Sequence, residues 1–251
     1  MQVPRTLRMN WHGKLAPGVC AKDMMLHMIA RFGMNGGEYQ AVEFAGDTVR
    51  GLSMQERMTL SNMSAELGAQ AGLIAPDETT VAYLQAKGVE SSRLENWRAW
   101  HTDAGAELTD HAFHADTLAP QVAAPHSPAN TEPVNAFSSV ALDVAYLGAC
   151  TGAKLEDLRA AAQVLKGRHV AEGMRLLVAP ASAREQAQAA QEGTLQILQD
   201  AGAQVLPNTC GICAGYGGHF EEGARVISST ARNFKGRMGP ASVQVYLASP
   251  W

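Results

Sequence analysis

The chain contains no apolar run approaching the roughly 18 residues of a membrane span, and its opening stretch, MQVPRTLRMNWHGKLAPG, carries no hydrophobic signal core. It therefore reads as a soluble, cytoplasmic protein with no membrane partner. Basic charge is also scarce. Twenty Lys and Arg stand against 24 Asp and Glu, for a formal net charge of −4. The basic residues are scattered, so no nucleic-acid surface is expected. Four cysteines in 251 residues are too few for a disulfide scaffold. In a reducing compartment their clustering favours metal or redox work instead. The histidines His101, His111, His114 and His126 lie in or near a polar segment where solvated side chains are the ordinary case, and none is assigned a ligand role.

With 46% hydrophobic residues, the chain can bury a full core as one large domain or two smaller ones. The clearest boundary is Leu118–Val134, which holds Pro120, Pro125, Pro128 and Pro133. Neither a helix nor a central strand tolerates that spacing, so the segment is expected to be a linker or an extended crossing. It divides the chain into residues 1–118 and 119–251.

The first half reads as mixed α and β. Lys22–Phe32 places Met25, Ile29 and Phe32 on one helical face, with Gly33 to stop it. Ala41–Phe44 is a short strand. Ser53 and Glu56 have the spacing of a capping box, opening a helix expected to run through MQERMTLSNMSAELGAQ. Asp77–Lys87 is a further helix, with Asp77 as its cap. Cys20 reads as a lone buried thiol.

The second half reads as strands alternating with helices. Val140–Leu147, Arg175–Ala179, Gln204–Leu206, Ala224–Ser228 and Ser242–Leu247 are strands; Lys154–Lys166 and Ala183–Asp200 are helices. That alternation implies a mostly parallel sheet with helices on both faces, whose ligands bind beyond the carboxyl ends of the strands. Cys150, Cys210, Cys213, Arg232 and Arg237 all fall in segments that follow strands, on that one edge.

Three thiolates are one short of the four that a closed structural site wants, which leaves a metal position open. Thiolate ligation selects zinc, Cu(I) or iron–sulfur clusters. Zinc would need a fourth ligand, and candidates such as His219 lack persuasive spacing. A [4Fe–4S] cluster on three cysteines keeps one iron free to act as a Lewis acid. Arg232 and Arg237 are suited to bidentate capture of carboxylates. Asn62 and Glu66, at i and i+4, share a helix face, which taken alone reads as solvated. CGIC also has the form of a thiol redox motif, although that leaves Cys150 unexplained.

These segments together resemble the aconitase family, on the side of the 3-isopropylmalate dehydratase large subunit and its homoaconitase-like relatives. GACTGAKLEDLRAA, NTCGIC and ARNFKGR resemble the family's cluster and arginine motifs. HGKLAPGVCAKD, VEFAG and RGLSMQERMTLSNMSAELGAQAGLIAPDET follow the family in order through the first half. The resemblance implies an α/β fold of aconitase-like iron–sulfur domains, two αβα units, the second with a mostly parallel sheet. It implies a [4Fe–4S] cluster on Cys150, Cys210 and Cys213, with Asn62, Glu66, Arg232 and Arg237 as catalytic residues. The implied activity is a hydro-lyase acting on a small hydroxy polycarboxylate in leucine biosynthesis or related chemistry.

The chain departs from the family at three places. Ala231 stands for an asparagine beside the first arginine, Gly152 for the asparagine after Cys-Thr, and Ala181 for a glycine. No Asp-Ser-His triplet occurs, and the family's swivel domain is not matched. The chain therefore looks like the two middle domains of a four-domain machine: a partial large subunit, weak or inactive by itself, needing a small swivel-domain subunit. Exposed apolar surface at the missing contacts would favour a homo-oligomer. A non-catalytic metal-binding derivative of the family is the alternative that the lost amides support.

Overall fold

The computed structural model describes residues 3–148, 150–216 and 220–251. Ala149 of the GACTG segment, and His219, considered above as a fourth ligand, lie outside the described residues.

The first half forms β1 (Thr6–His12), α1 (Ala21–Phe32), β2 (Ala41–Ala45), α2 (Asp47–Gly51), α3 (Met54–Met63), β3 (Ala71–Leu73), α4 (Glu78–Ala86) and β4 (Thr109–His114). Its four strands pair in the order β3-β2-β1-β4, all parallel. The sequence reading did not anticipate β1, which alternates strictly: Leu7, Met9 and Trp11 are buried between polar neighbours. Nor did it anticipate β4. His111 and His114, three apart on that strand, face opposite sides of the sheet.

The helix starts follow their capping signals. Ser53 accepts from the Glu56 amide and Glu56 returns the bond, a pairing whose loss costs ~1 kcal/mol. Gly33 ends α1 with φ 77. One expectation fails here: α3 stops at Met63, and residues 64–68 form turns. The cause is the close return of β3, where a Cβ on Gly72 would lie 2.1 Å from Ser64 Oγ and 2.9 Å from the Ser61 carbonyl. Glu66 is therefore on a turn, and the i, i+4 helical relation to Asn62 does not exist.

The second half forms β5 (Gln121–Ala123), β6 (Thr131–Pro133), β7 (Val144–Gly148), α5 (Leu155–Leu165), β8 (Arg175–Ala179), α6 (Ala183–Gln191), α7 (Thr194–Asp200), β9 (Ala203–Val205), β10 (Arg225–Ser228) and β11 (Gln244–Leu247). The sheet order is β6-β5-β11-β10-β7-β8-β9; β5 and β6 are antiparallel additions at one edge and the rest is parallel. The proline-rich segment is thus no free linker. It supplies β5 and β6, and Pro133 stands on β6, the edge strand, where a proline is tolerated. The helix expected over Ala183–Asp200 is two helices, broken where Gly193 adopts φ 82.

The helices of this half, α5, α6 and α7, pack together and cover one face of this sheet. Along β8, Leu176 and Val178 pack with Leu158, Leu195 and Leu198 of α5 and α7. The intervening Leu177 and Ala179 face the other way, into a cluster shared with Met9, Trp11, Met24 and Ile29 of the first half. The second face is therefore covered by the first half of the chain, with α1 packed on β5 and β6. Asp23 of α1 anchors this contact by accepting from the Gln121 amide at 2.7 Å. Among the described residues, no helix is long and apolar enough to cross a membrane.

Candidate functional site

The loops leaving β7 and β10 are locked together through backbone groups. Ser229 Oγ accepts from the Gly148 amide at 2.9 Å and donates to the Gly152 carbonyl at 2.8 Å. A Cβ on Gly152 would lie 2.2 Å from the Ser229 carbonyl oxygen. This packing accounts for glycine where the resemblance implies asparagine. Ala231 is half-buried and packs against the core cluster.

Two buried lysines extend the lock. Lys22, at the start of α1, donates to the carbonyls of Ser229 and, at 2.6 Å, of Thr230. Burial pushes its amine down to about 8, against the pull of nearby acids. Lys154, capping α5, donates to Thr59 Oγ1 at 2.8 Å and to the Cys150 carbonyl at 3.1 Å. It thereby ties α3 to the loop that carries a cysteine. Neither lysine was singled out from the sequence. The only signal was the charged Lys22–Asp23 pair heading an otherwise apolar helix.

The residues that the sequence did single out gather on this frame. Asn62, at the end of α3, is exposed and directs Nδ2 at Cys150 Sγ, 3.5 Å away. Glu66 is not on a solvated face. It is 2% exposed, and its Oε1 holds the Nε of Arg232, whose side chain is 43% exposed. That hydrogen bond also raises the Arg232 pKa above its ordinary value. Burial pushes the Cys213 thiol up, while a hydrogen bond from Arg237 pulls it down; Cys150 and Cys210 are near enough to act on it through space. All four cysteines are free, with Cys150 and Cys210 exposed, Cys213 half-buried, and Cys20 half-buried at the cap of α1.

The Cys-x-x-Cys pair lies on a single 3₁₀ turn, Gly211–Ala214, closed by Gly215 at φ 82. Among the described residues no α-helix follows this turn directly, and none there supplies the helix N-terminus that lowers a redox thiol. Nor do three His, Cys, Asp or Glu side chains among the described residues surround one point as a single ion requires. A cubane cluster takes one thiolate per iron, and its cysteines stand correspondingly further apart.

Six of the eight buried side-chain polar atoms without a partner, among the described residues, belong to these loops and their floor: Glu66 Oε2, His126 Nδ1, Tyr146 Oη, Thr151 Oγ1, Asn233 Oδ1 and Arg237 Nε. His126 joins them because its backbone bridges to Phe234. Leaving such groups unpaired costs ~1–3 kcal/mol each, so their concentration marks a place made for a polar occupant. Free thiols from two loops beside these orphaned atoms fit an iron–sulfur group and a charged ligand.

The sequence profile of the aconitase family (aconitate hydratase) matches residues 1–140 and 131–251. The chain belongs to the aconitase family. Among its relatives, the 3-isopropylmalate dehydratase large subunit of Nitratidesulfovibrio vulgaris is 42% identical over 99% of this chain and 59% of that protein. The large subunit 1 of Pyrococcus furiosus is 39% identical over the whole of this chain and 59% of its own length. The chain thus spans about three-fifths of these family members. Among solved structures, aconitase X of Thermococcus kodakaraensis in its holo form superposes with a TM-score of 0.50, 13% identity, 92% coverage of this chain and 50% of that one. That likeness supports an aconitase-like α/β fold.

Proposed function

We propose that this chain is the cluster-bearing part of a hydro-lyase of the 3-isopropylmalate dehydratase kind, interconverting a hydroxy di- or tricarboxylic acid with its unsaturated acid. The observation that carries the reading is the convergence of Cys150, Cys210 and Cys213, from two loops, beside Asn62, Glu66, Arg232 and Arg237. In this reading the three cysteines hold a [4Fe–4S] cluster, which supplies a Lewis-acidic iron when bound.

The chain's own residues bind and orient. Arg232 and Arg237 present permanently charged donors to the substrate carboxylates. Glu66 fixes the direction of Arg232, and its unpaired Oε2 is an acceptor for a substrate hydroxyl. The Asn62 amide, donating to Cys150 Sγ, holds that thiolate in a set direction. Proton transfer at carbon is assigned to a small partner subunit of the kind that the relatives' designation as large subunits entails. Free cysteines and the absence of a long apolar helix among the described residues accord with a cytoplasmic setting.

Anaerobic reconstitution is expected to give a broad brown absorption and about four irons per chain, reduced in Cys150→Ser and Cys213→Ser. A colourless protein holding one zinc sinks the reading. The substitutions at Ala231 and Gly152 favour a second possibility, a cluster protein that does not turn over substrate. An EPR spectrum of the reduced cluster that is unchanged by added hydroxy acid would select that alternative.

A further inference from the structure

Tyr146 sits on β7, four residues before Cys150, and is 2% exposed. A buried phenol normally directs its hydrogen at a partner, yet the Tyr146 hydroxyl has no acceptor among the described residues. Space is nevertheless kept for it. A Cβ on Gly148 would lie 2.4 Å from Tyr146 Cζ and 2.6 Å from its Oη, so glycine at the strand end lets the ring pass up towards the loops. Ile212 and Cys213 pack against the core cluster that contains Tyr146. The Cys213 backbone reaches the phenol oxygen, and the Cys213 and Cys210 side chains are near enough to act on it through space. The hydroxyl therefore lies at the floor of the cysteine set, and its own hydrogen meets no acceptor among the described residues.

We propose that Tyr146 donates its phenol hydrogen bond to the sulfur-rich centre that Cys150, Cys210 and Cys213 hold, and so tunes that centre from below. The inference rests on the cluster reading above. A phenol is a neutral donor at ordinary pH, and hydrogen bonds to sulfur stabilise the more negative, reduced state of an iron–sulfur centre. Tyr146 is on this account a positioning and tuning residue, since it touches no substrate atom.

The test compares the full chain with Tyr146→Phe, which keeps the ring and removes the donor, after anaerobic reconstitution of both. Iron content, the reduction potential followed by EPR, and the coupling of exchangeable deuterons to the reduced centre are measured. Equal iron loading, a more negative potential and the loss of one deuteron coupling are expected in the variant. Equal potentials and identical couplings in two loaded proteins overturn the role of Tyr146 and leave the cluster reading intact. A wild-type chain that takes up no cluster removes both. Should Tyr146→Phe load poorly, fluorotyrosine placed at position 146 keeps the hydroxyl and strengthens the donor. It is expected to move the potential in the positive direction, and an unmoved potential overturns the proposal.

Discussion

Lys22 is an ammonium-bearing side chain 1% exposed in a core, held by two backbone carbonyls and no salt bridge among the described residues. Either form of the amine has hydrogens for the two carbonyls, and burial penalises the charged one. The pH dependence follows in sign. Between about pH 8, where the folded amine titrates, and its unfolded value of 10.5, the unfolded chain binds more protons. Stability from this group is therefore lowest below pH 8 and rises towards pH 10.5, by ~3 kcal/mol at most. Subtracting the unfolding free energy of Lys22→Met isolates the effect from other titrating groups. The wild-type advantage is expected to widen across that window, and a constant difference excludes a depressed amine.

At the scale of elements, the break between α6 and α7 is conformational. Nothing lies within 4 Å of a Cβ placed on Gly193, but its φ of 82 is left-handed. Gly193→Ala is expected to lower the urea midpoint by an equivalent of ~1–2 kcal/mol with an unchanged slope; an unchanged midpoint excludes strain there. The apolar run RLLVA and the Ser53 capping box were legible in the sequence because each is a local signal. The end of α3 was not, because the turn at Ser64 to Gly68 answers the approach of Gly72 from the next strand. β5 and the edge strand β6 were hidden for a related reason: proline excludes a central strand, and only the assembled sheet shows which strand is the edge. The cysteines and arginines announced themselves through spacing and motif. Lys22, Lys154, Ser229 and Tyr146 did not, since they act through carbonyls, close backbone approaches and a hydroxyl pointing into a loop. None of those leaves a spacing rule.

For the whole molecule, the two sheets part between His114 and Gln121, but the core does not part with them. Met9 and Trp11 of the first sheet share one buried cluster with Tyr146, Leu177, Val245 and Leu247 of the second. The chain is therefore expected to unfold in a single transition, with tryptophan fluorescence and far-UV circular dichroism coincident in urea. Two separated transitions would mean that the halves stand alone.

Hydrogen bonds from α3 and the turn after it cross between those halves, among them Thr59 to Lys154, Asn62 to Cys150, and Glu66 to Arg232. Together they bind one short segment to two loops encoded some ninety to 170 positions downstream. A chimera that joined the first half of one relative to the second half of another would bring together two sheets that could each fold while mismatching where they meet at the sulfurs. The heritable unit of this site is neither half but the seam between them, and recombination succeeds only where the segment around α3 travels with the loops it touches.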